Sequence, residues 1–152
     1  MASGSPTNAG TSGQRVRIML VEDNPDDVFW LEQALQSSHF LYELIKYEDG
    51  EEAMRALSAD WAPAPDLILV DLNLPRRDGF DVLLAIRQNP QLVGVPVGVL
   101  TSSDARKDRH RTALIGVARY IPKPPALDEF IYEVGHAVVE LLAFGPRRKG
   151  LG

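Results

Sequence analysis

Three apolar runs in this 152-residue chain each end on a polar residue, and a fourth, shorter segment ends on a lysine. Ile18-Met19-Leu20-Val21 closes on Glu22-Asp23, and Leu67-Ile68-Leu69-Val70 on Asp71. Val97-Gly98-Val99-Leu100 closes on Thr101, and Tyr120-Ile121-Pro122 on Lys123. The Leu67 run has no polar alternation, the pattern of a parallel strand covered on both faces. If the four segments are parallel strands of one open sheet, their terminal residues converge at its carboxyl edge, where such sheets bind ligands. Acids, a hydroxyl and an amine at one edge point to metal-assisted phosphoryl transfer with Asp71 as acceptor.

Helical patterns fill the spaces between the runs. Asn24-Pro25 reads as an N-cap and a first-turn proline, and Asp26 and Asp27 complement the positive end of a helix. Val28, Leu31, Ala34 and Leu35 make one buried stripe of that helix, which ends near Ser37. Residues 42–47 alternate as a strand interrupted by Glu43, and Asp49-Gly50 turns into a helix over 51–57. Pro75 and Asp78-Gly79 shape a loop before a helix carrying Phe80, Val82, Leu83, Leu84 and Ile86. Residues 95–100 form a strand that tolerates Pro96 near its start. Residues 104–114 form a helix with little to bury beyond Ala105, Ala113 and Leu114. Packing supplies most helical stability in proteins, so this helix is expected to be weakly held and able to move. Leu127, Phe130, Ile131, Val134, Val138, Leu141 and Leu142 stripe the last helix, which Gly145-Pro146 ends. Five strands alternating with five helices predict an α/β fold, a flavodoxin-like doubly wound parallel sheet in the order 2-1-3-4-5.

The length fits one domain, expected over 15–144, between a flexible N-terminal tail (1–14) and a short basic C-terminal tail (145–152). Arg147, Arg148 and Lys149 are expected to solubilise that terminus. A formal net charge of -5 argues against non-specific nucleic-acid binding. The absence of cysteine excludes disulfides and thiolate metal sites. No apolar stretch approaches the roughly 20 residues that span a bilayer, and residues 1–13 lack the pattern of a signal peptide. The expectation is a cytoplasmic protein with no membrane or nucleic-acid partner, and with no DNA-binding or catalytic domain after Phe144.

Two carboxylates about 4 Å apart repel by roughly 4 kcal/mol at an effective dielectric of 20. A pair formed by Asp23 and Asp71 would therefore share a proton or hold a cation. Mg²⁺ takes carboxylate, water and phosphate oxygens, and it would let an anionic donor approach the acids. Lys123 and Thr101 would meet the phosphoryl oxygens. A phosphorylated carboxylate is an established kind of covalent intermediate.

Leu20-Val-Glu22-Asp23-Asn24, Asp71-Leu-Asn73-Leu-Pro75 with Asp78-Gly79, Leu100-Thr101-Ser102-Ser103, and Tyr120-Ile-Pro-Lys123-Pro124 occur in that order, each closing a strand. In this the chain resembles the response-regulator receiver domains of two-component signalling over nearly all of 16–144. The resemblance implies that Asp71 accepts phosphate from a kinase phosphohistidine and that Thr101 and Lys123 bind the phosphoryl oxygens. It implies Mg²⁺, with Mn²⁺ as an alternative, held by Asp23 and Asp71, by Glu22 through water, and by the backbone carbonyl of Asn73. Thr101 and Tyr120 would form the switch, and Asn73 and Ser103 would tune phosphate lifetime. Glu22 departs from the commoner aspartate, and Leu72 follows the acceptor, so neither Trp30 nor Trp61 adjoins it. The strings at 21–27 and 71–75 and the spacing before Pro96-Val97 resemble stand-alone regulators of phytochrome-type histidine kinases. The implied partner is a sensor histidine kinase, a bacteriophytochrome in that case. The apolar last helix, with Val139 and Phe144 off its main stripe, leaves room for a homodimer.

Taken singly these residues carry little: Asp26 and Asp27 read as capping acids, and Arg106, Lys107, Arg109 and Arg111 as a solvated face. His39, His110 and His136 lack metal-ligand spacing. The competing reading is an adaptor on a receiver scaffold that works without phosphorylation. A flavodoxin-type FMN binder fits less well, because Glu22-Asp23-Asn24 would repel the FMN phosphate. An aspartyl phosphatase would want a second acid where Asn73 stands.

Overall fold

The structure, a computed structural model, describes residues 15–61, 63–103 and 105–144. The tails expected at 1–14 and 145–152, and Asp104, lie outside them. Strands and helices alternate strictly: β1 (Val16–Val21), α1 (Pro25–Ser37), β2 (Tyr42–Tyr47), α2 (Gly50–Ala56), β3 (Leu67–Val70), α3 (Gly79–Gln88), β4 (Val97–Thr101), α4 (Arg106–Ile115), β5 (Arg119–Pro122) and α5 (Leu127–Phe144). The strands form one parallel sheet in the order β2-β1-β3-β4-β5, the predicted doubly wound fold.

The two-residue period of a strand sends alternate side chains to opposite faces, and this splits the interior into two cores. Ile18 and Leu20 join Leu44, Leu67 and Leu69 beneath Leu31 and Leu35 of α1 and Phe130, Val134 and Val138 of α5. Met19 and Val21 join Ile68, Val70, Val97 and Val99 beneath Ala53 of α2 and Val82, Leu83 and Ile86 of α3. Every residue of β3 is buried, as a central strand with helices on both faces requires.

Acidic and amide side chains start α1, α2 and α3. Asn24 Oδ1 accepts from the Asp26 N–H at 2.9 Å, Asp49 Oδ1 from Glu52 at 2.8 Å and Asp78 Oδ1 from Phe80 at 2.8 Å. With Asp49 as its cap, α2 begins at Gly50, one residue before the predicted start. Strand β4 begins at Val97, not at residue 95. Pro96 has no N–H for the ladder, and the Val95 N–H turns back to Leu92 O at 3.0 Å.

Three helices differ from their predicted faces. Leu84 of α3 and Leu127 of α5 are exposed, while Ala137 joins the buried stripe of α5. In α4 the expected apolar anchors fail: Ala113 is exposed and Leu114 is 74% exposed, and Thr112 is the residue that α4 buries. Gly116 closes α4 in the left-handed region at φ 96°, where a Cβ would be strained.

Candidate functional site

The chain leaves β1 for β2 on one side and reaches β3 on the other, which opens a crevice at the carboxyl ends of β1 and β3. Val21 and Val70 are register partners, and the Asp71 N–H donates to Val21 O at 3.0 Å. Glu22 and Asp71 therefore emerge side by side. Carboxylate oxygens of Glu22, Asp23 and Asp71 lie within 4.8 Å of one another, with Glu22 and Asp71 buried and Asp23 exposed. Backbone donors orient two of them: the Asn24 N–H donates to Glu22 Oε2 at 3.1 Å and the Asn73 N–H to Asp71 Oδ1 at 3.2 Å. A cleft of about 310 Å³, lined by Pro25, Phe29, Lys46 and Glu48 among others, opens beside Glu22 and Asp23.

Lys123 reaches this cluster from the end of β5, where its N–H donates to Thr101 O at 2.9 Å. Its Nζ donates to Asp27 Oδ2 at 2.6 Å and to Asp71 Oδ2 at 3.2 Å, and it pairs with Glu22 Oε1 at 2.9 Å. Burial by itself would lower the ammonium, but Glu22, Asp27 and Asp71 override it and hold Lys123 above its ordinary range. Burial pushes the Glu22 carboxyl up to about 7, and the Asp71 charge adds to this against the opposing pull of Lys123 and the Asn24 N–H.

Thr101 closes the crevice and is fully buried. Its Oγ1 accepts from the Ser103 N–H at 3.2 Å. Ser103 then branches: its Oγ donates to Asp108 Oδ2 of α4 at 2.6 Å, and its carbonyl accepts from the Tyr120 hydroxyl at 2.6 Å. Thr101, Ser103, Tyr120 and the first turn of α4 thus form one hydrogen-bonded chain.

Glu22, Asp23, Asp71, Asn73, Thr101 and Lys123 meet at this edge, joined through Thr101 by Ser103 and Tyr120. One further residue does too: Asp27, read from the sequence as a capping acid, grips Lys123. The available signal was its place in the first turn of a helix that starts at the rim of the crevice. Arg109 and Arg111 are likewise more than a solvated face. The Arg109 guanidinium lies 4.6 Å from the Tyr120 ring centre and that of Arg111 3.9 Å from the Phe80 ring centre, within cation–π range. Trp30 packs edge-on against Phe130, and the indole N–H of Trp61 donates to Ala56 O.

Four carboxylates against one ammonium leave a surplus of negative charge, and every donor facing the crevice from these acids is oxygen. That set suits a hard divalent cation, and a phosphoryl group only in company with one; it suits neither a soft metal nor a bare anion.

The family model for the response regulator receiver domain matches residues 18–134. The response regulator Rcp1 of Synechocystis is 41% identical over 110 residues, which is 70% of this chain and 75% of that protein. A crystal structure of the Mn²⁺-bound form of a response regulator Rcp1 superposes with a TM-score of 0.72 at 37% identity, covering 80% of this chain and 90% of that one. The phosphorylated cyanobacterial phytochrome response regulator RcpA gives a TM-score of 0.77 at 36% identity, covering 86% and 96%. The receiver domain of the sensor histidine kinase PA1611 of Pseudomonas aeruginosa, with magnesium coordinated in its active-site cleft, gives 0.68 at 28% identity, covering 86% and 99%.

Proposed function

The chain belongs to the response regulator receiver family, and from that premise we propose that it is a phosphorylation switch with Asp71 as the phosphoacceptor. One observation carries the assignment. The buried Asp71 carboxylate stands 3.2 Å from the Lys123 ammonium and within 4.8 Å of the Glu22 and Asp23 oxygens. The same acids fit Mg²⁺, or Mn²⁺ in its place: Asp23 and Asp71 would hold the ion directly, Glu22 through water, and Asn73 through its backbone carbonyl. Once bound, the ion neutralises charge on the phosphoryl oxygens, so that an anionic donor can approach the acids.

A carboxylate oxygen of Asp71 attacks phosphorus in line. The new O–P bond forms as the P–N bond of the donor's phosphohistidine breaks, and the electron pair leaves with the imidazole. Such a transfer needs chiefly positioning and charge neutralisation. Lys123 takes up charge on one phosphoryl oxygen, and the Thr101 hydroxyl donates to another. Attack by water on the same phosphorus then returns Asp71, slowly, at a rate tuned by Asn73 and Ser103. The protein is a signalling component whose own phosphate is all it turns over.

A readout follows from the hydrogen-bonded chain. Drawing Thr101 toward the phosphoryl group disturbs Ser103, which holds both Tyr120 and Asp108, and so alters the face built by α4, β5 and α5. The phosphodonor is a sensor histidine kinase. Likeness to Rcp1 and RcpA favours a phytochrome-type kinase, and the exposed Tyr132 and Val139 of α5 favour pairing with a second copy. We assign the protein to the cytoplasm, with the kinase that phosphorylates it. No helix among the described residues is long and apolar enough to cross a membrane.

Incubation with a small-molecule phosphodonor and Mg²⁺ is expected to phosphorylate the protein, chelation to stop the reaction, and Asp71→Asn to abolish it. Robust labelling of Asp71→Asn would overturn the assignment. Partner binding indifferent both to Mg²⁺ and to beryllofluoride, a phosphoryl mimic, would favour the adaptor reading instead.

A further inference from the structure

The shortest contact of the Lys123 ammonium is with Asp27, at 2.6 Å, against 2.9 Å to Glu22 and 3.2 Å to Asp71. Asp27 also differs from the other two in where it stands. Glu22 and Asp71 belong to the set of three acids whose oxygens converge within 4.8 Å, and Asp27 does not. It sits in the first turn of α1, outside that set. An ammonium has three N–H donors on a flexible four-carbon stem. Glu22 and Asp71 are claimed by the cation when it binds, and Asp71 loses its charge when its oxygen is esterified to phosphorus. Asp27 is the partner of Lys123 that neither event removes.

We propose that Asp27 is a positioning residue. It anchors the Lys123 ammonium from α1, so that the donor now resting on Asp71 passes to the phosphoryl oxygen without the side chain swinging away. The proposal rests on the phosphoacceptor reading and deepens it. Asp27 touches no reacting atom and acts through Lys123. Substituting it with asparagine keeps the shape and removes the charge. Removing a negative charge by itself favours an anionic ligand, so the anchoring role and a bulk charge effect predict opposite signs.

The test is calorimetric titration of the full chain with beryllofluoride at saturating Mg²⁺, with folding of each variant checked by thermal melting. Asp27→Asn is expected to weaken binding roughly tenfold, on the scale of one charge-assisted hydrogen bond, and Asp27→Glu to recover at least half of the lost affinity on a logarithmic scale. In a Lys123→Ala background Asp27→Asn is expected to weaken binding no further. Where that background binds too weakly to titrate, the sign of the Asn effect and the Glu rescue decide. Unchanged or tighter binding by Asp27→Asn, or an equal loss with and without Lys123, would overturn the anchoring role. Failure of the unsubstituted protein to bind beryllofluoride would instead overturn the phosphoacceptor reading beneath it.

Discussion

Glu22 and Gly79 set the conditions under which Asp71 can work. The Glu22 carboxyl, raised to about 7 by burial and the Asp71 charge, holds its proton more tightly in the folded chain than in the unfolded one. The folded state therefore carries the extra proton between the unfolded value, near 4.5, and 7, and stability of the metal-free protein falls as pH rises through that window. A cation takes the opposite side, because it needs the carboxylate: its apparent affinity is expected to drop about tenfold from pH 8 to pH 6, following the charged fraction of Glu22. Titrating Mg²⁺ at each pH checks this, and Glu22→Gln should flatten the profile; an unflattened profile would place the titration elsewhere. Gly79 matters through space. A Cβ there would stand 2.4 Å from Asp71 O and 2.6 Å from Leu72 Cα, both backbone atoms with little freedom to yield. Gly79→Ala is expected to cost about 1–3 kcal/mol by overpacking and to slow phosphorylation by moving Asp71, seen as a lower melting temperature together with a lower labelling rate.

Helix α4 stands apart from its neighbours at the scale of the element. Its N-cap, Ala105, makes no side-chain capping bond, and Thr112 is the residue it buries. Contacts of another kind hold it: Asp108 to the Ser103 hydroxyl, Arg109 over Tyr120 and Arg111 over Phe80. Polar and cation–π contacts of this size are worth about 0.5–2 kcal/mol each, far less than the apolar stripe that seats α5. Amide hydrogens of 106–115 are accordingly expected to exchange much faster than those of the buried turns of α5. Adding Mg²⁺ and beryllofluoride should change protection across 101–123 while leaving β1 and β3 unaltered. Uniform protection across α4 and α5, or no change on adding the mimic, would contradict a switch located there.

Over the whole molecule, two apolar cores clamp a sheet whose carboxyl edge carries the chemistry, and the clamp can be tested away from the site. Phe130 is fully buried and meets Trp30 edge-on with ring centres 5.3 Å apart. Phe130→Ala is expected to cost about 3–5 kcal/mol and to alter Trp30 fluorescence, measured by denaturant unfolding. Most of this architecture is legible in the chain because its signals are local: the apolar runs of β1 and β3, the cap Asn24, the stripe of α5. The strand-end acids, Thr101 and Lys123 were legible for the same reason, since a parallel sheet brings them together wherever they lie in sequence. Asp27 was not, because an acid in a first turn looks the same whether it caps a helix or grips a lysine 96 residues away. Nor were the stacking of Arg109 and Arg111 or the exposure of Leu114, which depend on how α4 lies against its neighbours. The site, the α4 switch and the clamped sheet all serve a phosphate that lands on Asp71. Reduction of the phosphorylated protein with borohydride, which converts an aspartyl phosphate to homoserine, followed by peptide sequencing, tests it directly. Homoserine at position 71 alone is the predicted result; homoserine at Asp23, Asp66 or any other aspartate, with position 71 intact, would contradict it.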